Sequence, residues 1–312
     1  MSKIFADDTK AHSEVNSNKD QENIQSSINN MDDWTVLWLL GFNSDKCSVM
    51  HLGKNNPNFS YTIGKDLEKR ELKVSTCEKD LGVFVDPLLN FESHIISTVK
   101  KARKIVGLIQ RNIINKTPEI MVLLFKSLIR PTLEYANVVW SPYKRKYVDL
   151  IEQVQRNYSK CIIGLKDLTY KDRLVALNLP SLEFRRVRGN LIEVYKILNN
   201  IYDPITTKNL LTLCSKDLPT RSHPYKLLKY RTNTEQFKHF FSNRVVNIWN
   251  NLPTNVVMAK SVNSFKGHID RHLSEHICLI QIFTNFITNL YVILNVIEFS
   301  YKLLIHRNQK FL

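Results

Sequence analysis

Apolar positions change their spacing near residue 90, from the short runs typical of strands to the three-and-four spacing of helices. Residues 1–6 have the pattern of the end of a strand, and a helically spaced apolar stripe predicts a helix over about 17–40, ending at Gly41. Short apolar runs and alternating positions between residues 48 and 85 predict strands, closed by Pro87. We expect these strands to form one small antiparallel sheet.

Helical spacing continues through most of the chain after Asn90. Thr117-Pro118-Glu119 has the cap, the proline and the acidic residue typical of a helix N-terminus. The predicted helices are one beginning at about Phe91, one from Pro118 that stops before Pro131, and others over 147–163, 181–200 and about 235–250. The predicted fold class is therefore α+β, with a small antiparallel sheet followed by a mostly α-helical body.

The charge of the chain favours a polyanionic partner. Its 312 residues include 44 Lys and Arg against 29 Asp and Glu, a formal net charge of +15. Such an excess predicts binding to nucleic acid or to an anionic membrane surface, with plain solubility as the alternative. The 5 cysteines lie far apart and form no CxxC pair, which argues against a zinc module or a disulfide scaffold and favours a reducing, intracellular compartment, cytoplasm or nucleus.

Two adjacent aspartates, Asp7 and Asp8, follow the short apolar stretch Ile4-Phe5-Ala6. Paired aspartates are common in turns and at helix N-termini, because their short carboxylates accept backbone N–H bonds. Two carboxylates held together at a tight turn also repel each other unless a cation lies between them. Mg²⁺ binds one or two carboxylates and completes its shell with water and phosphate. The pair predicts either a turn or a magnesium site, and spacing alone leaves both open.

The C-terminal part contains two further patterns with open interpretations. Residues 277–297 carry no charge and are long enough to span a bilayer, but they include asparagine and glutamine, which are costly in hydrocarbon. They predict a membrane span, a packed helix or a tail foreign to the preceding domain. His268, His272 and His276 recur every four residues on one helix face, which is the spacing of a metal site or of an ordinary polar face.

Sequence blocks in order from residue 3 to about 272 resemble the reverse transcriptase of jockey-like non-LTR retrotransposons. Phe5-Ala6-Asp7-Asp8-Thr9-Lys10 resembles the family's catalytic [FY]-A-D-D turn, and the Phe42-Asn43 and Lys46-Cys47 pairs resemble the core of its next motif. The later matching blocks are Val49–Gly53, Glu78–Val83, Arg130–Ala136, Val139–Pro142, Val154–Arg156, Leu182–Arg186, Phe240–Val245 and Trp249–Pro253.

The resemblance implies RNA-templated DNA synthesis with two Mg²⁺ ions. It implies Asp7 and Asp8 as metal ligands at a β-hairpin tip, and Lys46 as the general acid toward pyrophosphate. It divides the chain into the end of a palm over 1–90, a helical thumb over 91–200, a C-terminal region over 201–276 and a tail over 277–312. The family's third carboxylate and its fingers precede the [FY]-A-D-D turn, so we expect this chain alone not to polymerise.

The thumb of this family grips the duplex of RNA template and DNA primer. The resemblance therefore implies phosphate contacts from Lys100, Lys101, Arg103 and Lys104, and from a second set, Arg185, Arg186 and Arg188. Solvated basic faces are the alternative for each of these side chains. Two other functions stay open: a non-catalytic module that binds RNA or DNA, and a protein attached to a membrane through 277–297. No protein partner is identifiable.

Overall fold

The computed structural model describes residues 2–5, 8–64, 69–214 and 223–273, and the fold in these ranges is α+β. Within these ranges, the strands all belong to the N-terminal third, apart from an isolated bridge between Leu213 and Leu227. The strands are β1 Ser2–Phe5, β2 Asp8–Ala11, β3 Ser48–Val49, β4 Thr62–Ile63, β5 Arg70–Glu71, β6 Lys73–Val74, β7 Glu78–Asp80 and β8 Val83–Val85.

The described strands form four separate pairs, so the prediction of one antiparallel sheet is wrong. β1 pairs with β2, β4 with β5 and β7 with β8 in antiparallel register, whereas β3 and β6 are parallel. Left-handed backbone at Gly53, Asn58 and Gly64 turns the chain soon after the apolar runs begin. β3 to β8 have only two or three residues each, and each of them pairs with a single partner.

Helices make up most of the remaining structure. They are α1 Asn18–Leu37, α2 Glu92–Asn112, α3 Pro118–Leu124, α4 Arg130–Glu134, α5 Asn137–Trp140, α6 Arg145–Lys160, α7 Tyr170–Ala176, α8 Leu182–Leu198, α9 Pro204–Thr207, α10 Glu235–Lys238, α11 Phe241–Arg244, α12 Val246–Asn250, α13 Thr254–Val257 and α14 over 262–273. The predicted helices over 17–40, from Phe91, over 147–163 and over 181–200 are confirmed to within a few residues at each end.

The helix that begins at Pro118 does not stop before Pro131, as its sequence predicts. A π-helical turn, Phe125–Ile129, joins α3 to α4, and Pro131 lies inside the continuous helix. The N–H of Arg130 donates to the carbonyl of Phe125, five residues back. The wider turn absorbs the space that the proline ring needs, which a regular α-helical turn does not provide.

The predicted helix over 235–250 is also wrong, because the segment forms three short helices, α10, α11 and α12. Thr234 caps the first of them by accepting the N–H of Phe237 at 3.3 Å. That helix ends at His239, whose φ of −98° and ψ of 3° leave the helical range. The apolar spacing of the segment therefore spans helix breaks that the hydrophobic pattern does not reveal.

The chain divides into two compact units, and the domain boundaries that the resemblance implies stay predictions. The first unit contains Met1–Arg186 and Thr232–Phe240, and the second contains Val187–Arg231 and Phe241–Leu312. The core of the first unit packs α2, α3, α4 and α6 around fully buried side chains such as Ile95, Phe125 and Ile151. Among the described residues of this core cluster, Val83 alone comes from a strand.

Candidate nucleic-acid interface

Strands β1 and β2, which contain Phe5 and Asp8 of the [FY]-A-D-D block, form an antiparallel pair. Strands β1 and β2 pair with Phe5 opposite Asp8, so Ala6 and Asp7 connect them. Asp7 itself lies outside the described residues, as does the side chain of Asp8. Lys10 of β2 forms an ion pair with Asp80 of β7, which connects the β1–β2 pair to the β7–β8 pair.

Lys46 lies in an exposed turn directly before β3. Its N–H donates to the carbonyl of Asn43 at 3.0 Å, and the N–H of Asp45 donates to the Asn43 side chain at 3.1 Å. This Asx-type turn fixes the backbone at Lys46 and leaves its ammonium group in solvent. The ammonium group is therefore available to an anion.

Metal-ligating side chains do not gather elsewhere in the described part of the chain. No group of three or more His, Cys, Asp or Glu side chains there is arranged to hold a metal ion. His268 is half-buried on helix α14, where its Nδ1 is 3.1 Å from the carbonyl oxygen of Asn255, and His276 falls outside the described residues. The carboxylates of Asp7 and Asp8, which the resemblance implies as Mg²⁺ ligands, are not among these described side chains.

Helix α2 has one buried face and one basic face. Its buried residues recur at three and four, and they include Ile95, Val99 and Ala102. The carboxylate of Asp86 orients the start of this helix by accepting the N–H groups of Leu88, Asn90 and Phe91 at 2.6 to 3.1 Å. Phe91 has a φ of 56°, so these bonds stabilise a left-handed turn immediately before the helix.

The basic face of α2 is open to solvent. Lys100, Lys101, Arg103 and Lys104 are all exposed, and none of them forms an ion pair with a described residue. At about 100° per residue, Lys100, Lys104 and Arg111 fall on one stripe that extends about 16 Å along the helix axis. Such a row of unpaired cations complements the phosphates of a nucleic acid strand.

The second predicted set of arginines is arranged differently. Arg185 forms a two-pronged ion pair with Glu134, with Nη2 to Oε2 at 2.8 Å. Arg188 makes the same kind of pair with Asp270, again with an Nη2 to Oδ2 distance of 2.8 Å. Each bidentate pair places a carboxylate against its guanidinium, so the positive charge already has a partner within the fold.

Arg186 lies inside the fold, with 4% of its surface exposed. Burial lowers the pKa of its guanidinium, although the carboxylates of Glu152, Glu183 and Glu134 act in the opposite direction. A buried guanidinium does not face a phosphate on the surface. The prediction that Arg186 contacts a phosphate is therefore wrong, because its side chain is buried.

Several sequence blocks that lie far apart in the chain meet in the first unit. The hydroxyl of Tyr135 donates to the carbonyl of Leu81 at 2.9 Å, and the indole N–H of Trp140 donates to the carbonyl of Tyr135 at 2.7 Å. Gly82 has a φ of 85°, a left-handed conformation that favours glycine. A Cβ at this position would also lie only 3.3 Å from the Tyr135 ring. These contacts give the blocks around residues 82, 135 and 140 a structural role.

A buried polar cluster that the sequence analysis did not identify joins α6, α7 and α8. Glu152 accepts the Tyr170 hydroxyl at 2.5 Å and the N–H groups of Leu182 and Glu183 at 3.2 Å. Arg173 donates to the Ser159 hydroxyl at 2.9 Å. Glu152 follows Ile151 on the apolar face of an amphipathic helix, and a carboxylate at such a position is the signal that identifies a buried polar partner.

Residues 277–297 lie outside the described residues. Within the ranges that the structure describes, no helix combines the length and the apolar character needed to cross a membrane.

Comparisons with known proteins add one relative. The chain is similar to a Caenorhabditis elegans protein named "Uncharacterized protein B0403.1", with 26% identity over 159 residues. The match covers 48% of this chain and 78% of that protein. No protein-family model matches the chain. No solved structure matches it either.

Proposed function

We propose that the chain is the C-terminal part of a jockey-like retrotransposon reverse transcriptase, and that its own activity is to bind the duplex of RNA template and DNA primer. In this proposal residues 2–90 are the end of the palm, and α2 opens the thumb. The order of the sequence blocks supports the family, and the contacts between the blocks around Gly82 and Tyr135 support one folded unit.

The observation that carries the binding function is the basic face of α2. Its four basic side chains between residues 100 and 104 are exposed, whereas Arg185 and Arg188 of α8 already have carboxylate partners. The apolar core and the bonds to Asp86 fix the backbone of α2, so the spacing of the basic residues along the helix is set before a ligand arrives. Binding to phosphates then has to order only their side chains.

The test is the affinity of the purified full chain for an RNA–DNA hybrid, measured by fluorescence anisotropy from roughly 50 to 200 mM salt. We expect a steep salt dependence. The double variant Lys100→Gln/Lys104→Gln should lower its slope by about 2 and weaken binding about tenfold at the higher salt, since each phosphate contact contributes a slope of about 0.9.

The matched control is Lys54→Gln/Lys73→Gln, which removes the same charge from two exposed lysines in the strand region. It should leave the affinity and the slope close to those of the parent chain. A flat salt dependence, or equal losses in the two double variants, would contradict binding through α2.

A second measurement addresses the polymerase reaction expected for the family. Incorporation of deoxynucleotides on a primed RNA template, with Mg²⁺ present and abolished by Asp7→Ala, would assign the whole reaction to this chain. Hybrid binding without incorporation is the result that we expect, with Asp7, Asp8 and Lys46 contributing to catalysis only in a complete site.

A further inference from the structure

A cavity of about 520 Å³ lies beside the N-terminal end of α2, inside the first unit. Its walls come from the loop over 85–91, the segment over 139–147 and residues 234–240. Binding sites for small organic groups have volumes of about 300 to 1,000 Å³. The cavity is therefore large enough for a planar group the size of a nucleoside.

Aromatic rings form much of the wall. Tyr143 and His239 stack with centroids 4.4 Å apart and planes 6° from parallel, and both line the cavity. Phe237 and Phe240 also line it, although nearly half of each side chain remains exposed. Rings held open to solvent in this way offer faces on which a flat ligand stacks.

The few polar side chains of the cavity suit a ligand that forms hydrogen bonds. Asn90, Ser141 and Gln236 are among the residues that line it, and each is half-buried. An amide presents both a donor and an acceptor, which matches the edge of a nucleobase.

The charge at the cavity points to an anionic ligand. Lys144 lines the cavity, with its Nζ 5.7 Å from the centre of the Tyr143 ring, and it forms no ion pair with a described residue. The next two residues are already engaged, because Arg145 pairs with Asp149 and Glu183 and Lys146 pairs with Glu92. Of the three consecutive basic residues 144–146, Lys144 is therefore the one whose charge is available to a ligand.

We propose that the cavity binds an unpaired nucleobase of a nucleic acid strand, with the phosphate of that nucleotide next to Lys144. This inference rests on the proposed function, because Phe91 of the cavity wall directly precedes α2 and lies about 14 Å along its axis from Lys100. A single strand that extends from a duplex bound on α2 supplies such a base.

The test compares a blunt RNA–DNA hybrid with the same hybrid carrying a three-nucleotide single-stranded extension that contains 2-aminopurine. We expect the extension to raise affinity about tenfold, which lies within the range for stacking of one base on an aromatic side chain. The 2-aminopurine fluorescence should fall on binding, because the base stacks in the cavity. The variant Phe237→Ala should abolish the gain and the fluorescence change, while blunt-hybrid affinity stays unchanged.

Trp34→Ala is the matched control, since Trp34 is an aromatic residue of the same unit and is 50% exposed, like Phe237. It should preserve the gain. If blunt hybrid binds but the extension adds nothing, the cavity proposal fails and the proposed function stands.

If the blunt hybrid does not bind, the proposed function fails. Titration with the single-stranded 2-aminopurine oligonucleotide alone then shows whether the cavity binds a base. A fluorescence change that depends on Phe237 supports the cavity site, and its absence overturns it. Binding of an apolar peptide that Phe237→Ala abolishes, with no effect of the oligonucleotide, would overturn the proposal in favour of a protein partner.

Discussion

Helices α2 and α8 carry similar basic clusters in the sequence, but the structure gives the two clusters different roles. The cations of α2 are exposed and have no described acidic partner. On α8, Arg185 and Arg188 are bound to carboxylates and Arg186 is buried. The net charge is +15, but a basic side chain is available to a ligand only where folding does not place a carboxylate beside it.

The partner of Arg185 explains why the sequence does not separate the two clusters. Glu134 lies 51 residues before Arg185, at the end of α4. No local pattern connects these two positions, because their contact depends on how α4 and α8 pack. By contrast, the cations of α2 lie opposite an apolar stripe that is visible in the sequence, and such a face is exposed whatever the helix packs against.

The largest expected effect is that of Glu134→Gln, which removes the charge that Arg185 pairs with. The pair is about four-fifths buried on each side, with side-chain exposures of 24% and 19%. We expect the free energy of unfolding to fall by about 2 kcal/mol, because the guanidinium keeps its burial and loses a charged acceptor. Urea unfolding at pH 7 measures this loss.

The control for this variant is Glu71→Gln, an equal change of charge at an exposed residue of β5. It should change the free energy of unfolding by less than about 0.5 kcal/mol. Equal effects of the two substitutions would show that the Glu134–Arg185 pair is no more stabilising than a surface charge, and would remove the distinction between α8 and α2.

His94 lies on the buried face of α2, and its protonation makes the free energy of unfolding depend on pH. Burial, aided by the charge of Lys101, lowers its pKa from 6.5 to about 4. The neutral ring accepts the N–H of Phe84 at 3.3 Å and meets Trp140 edge-on at 5.0 Å. The unfolded chain binds a proton near pH 6.5 and the folded chain only near pH 4, so stability is full above pH 6.5 and falls between these values.

We expect this histidine to cost about 2 kcal/mol of stability between pH 7 and pH 4. His94→Asn keeps an acceptor near the position of Nδ1 and does not titrate. Its unfolding free energy should therefore fall less than that of the parent chain over the same range. Parallel pH profiles for the two chains would show that His94 is already protonated in the folded state.

Much of the helical body follows from residue spacing, and the strand region does not. Apolar residues at three and four positions define α2, α6 and α8 to within a few residues, because burial of one helix face requires that spacing. Strand pairing depends on partners distant in the sequence, so the parallel contact of β3 with β6 has no local signal. The π turn before Pro131 is equally hidden, since proline alone predicts an end to the helix.

The same limit applies to the candidate site. The basic face of α2 and the strand before Asp7 are predictable from local sequence, and the hairpin register of Phe5 with Asp8 agrees with that expectation. The pairing of Arg185, the burial of Arg186 and the cavity beside Phe91 depend on contacts between separate segments. Charge identifies candidate cations, and packing decides which of them reach a ligand.

A conservative exchange tests the geometry of the pair rather than its charge. Arg185→Lys keeps the positive charge but loses the two parallel N–H bonds to Glu134. We expect a loss of about 1 kcal/mol in unfolding free energy and no change in affinity for the RNA–DNA hybrid. Lys104→Arg, the reverse exchange on α2, should leave stability unchanged, and a loss there as large as at Arg185 would contradict the exposed role of Lys104.

The smallest effects are expected from single substitutions along α2. They distinguish phosphate contacts at defined residues from attraction to the summed charge of the helix. Lys100 and Lys104 lie one turn apart on one stripe, whereas Lys101 and Arg103 lie on opposite sides of it, about 160° from each other. One duplex backbone cannot follow both sides. We expect Lys100→Gln and Lys104→Gln each to lower the salt slope of hybrid binding by about 0.9, and only one of Lys101→Gln and Arg103→Gln to do so. Equal losses at all four positions would instead mean that the phosphates respond to the summed charge of the helix, and the stripe would then have no special part in binding.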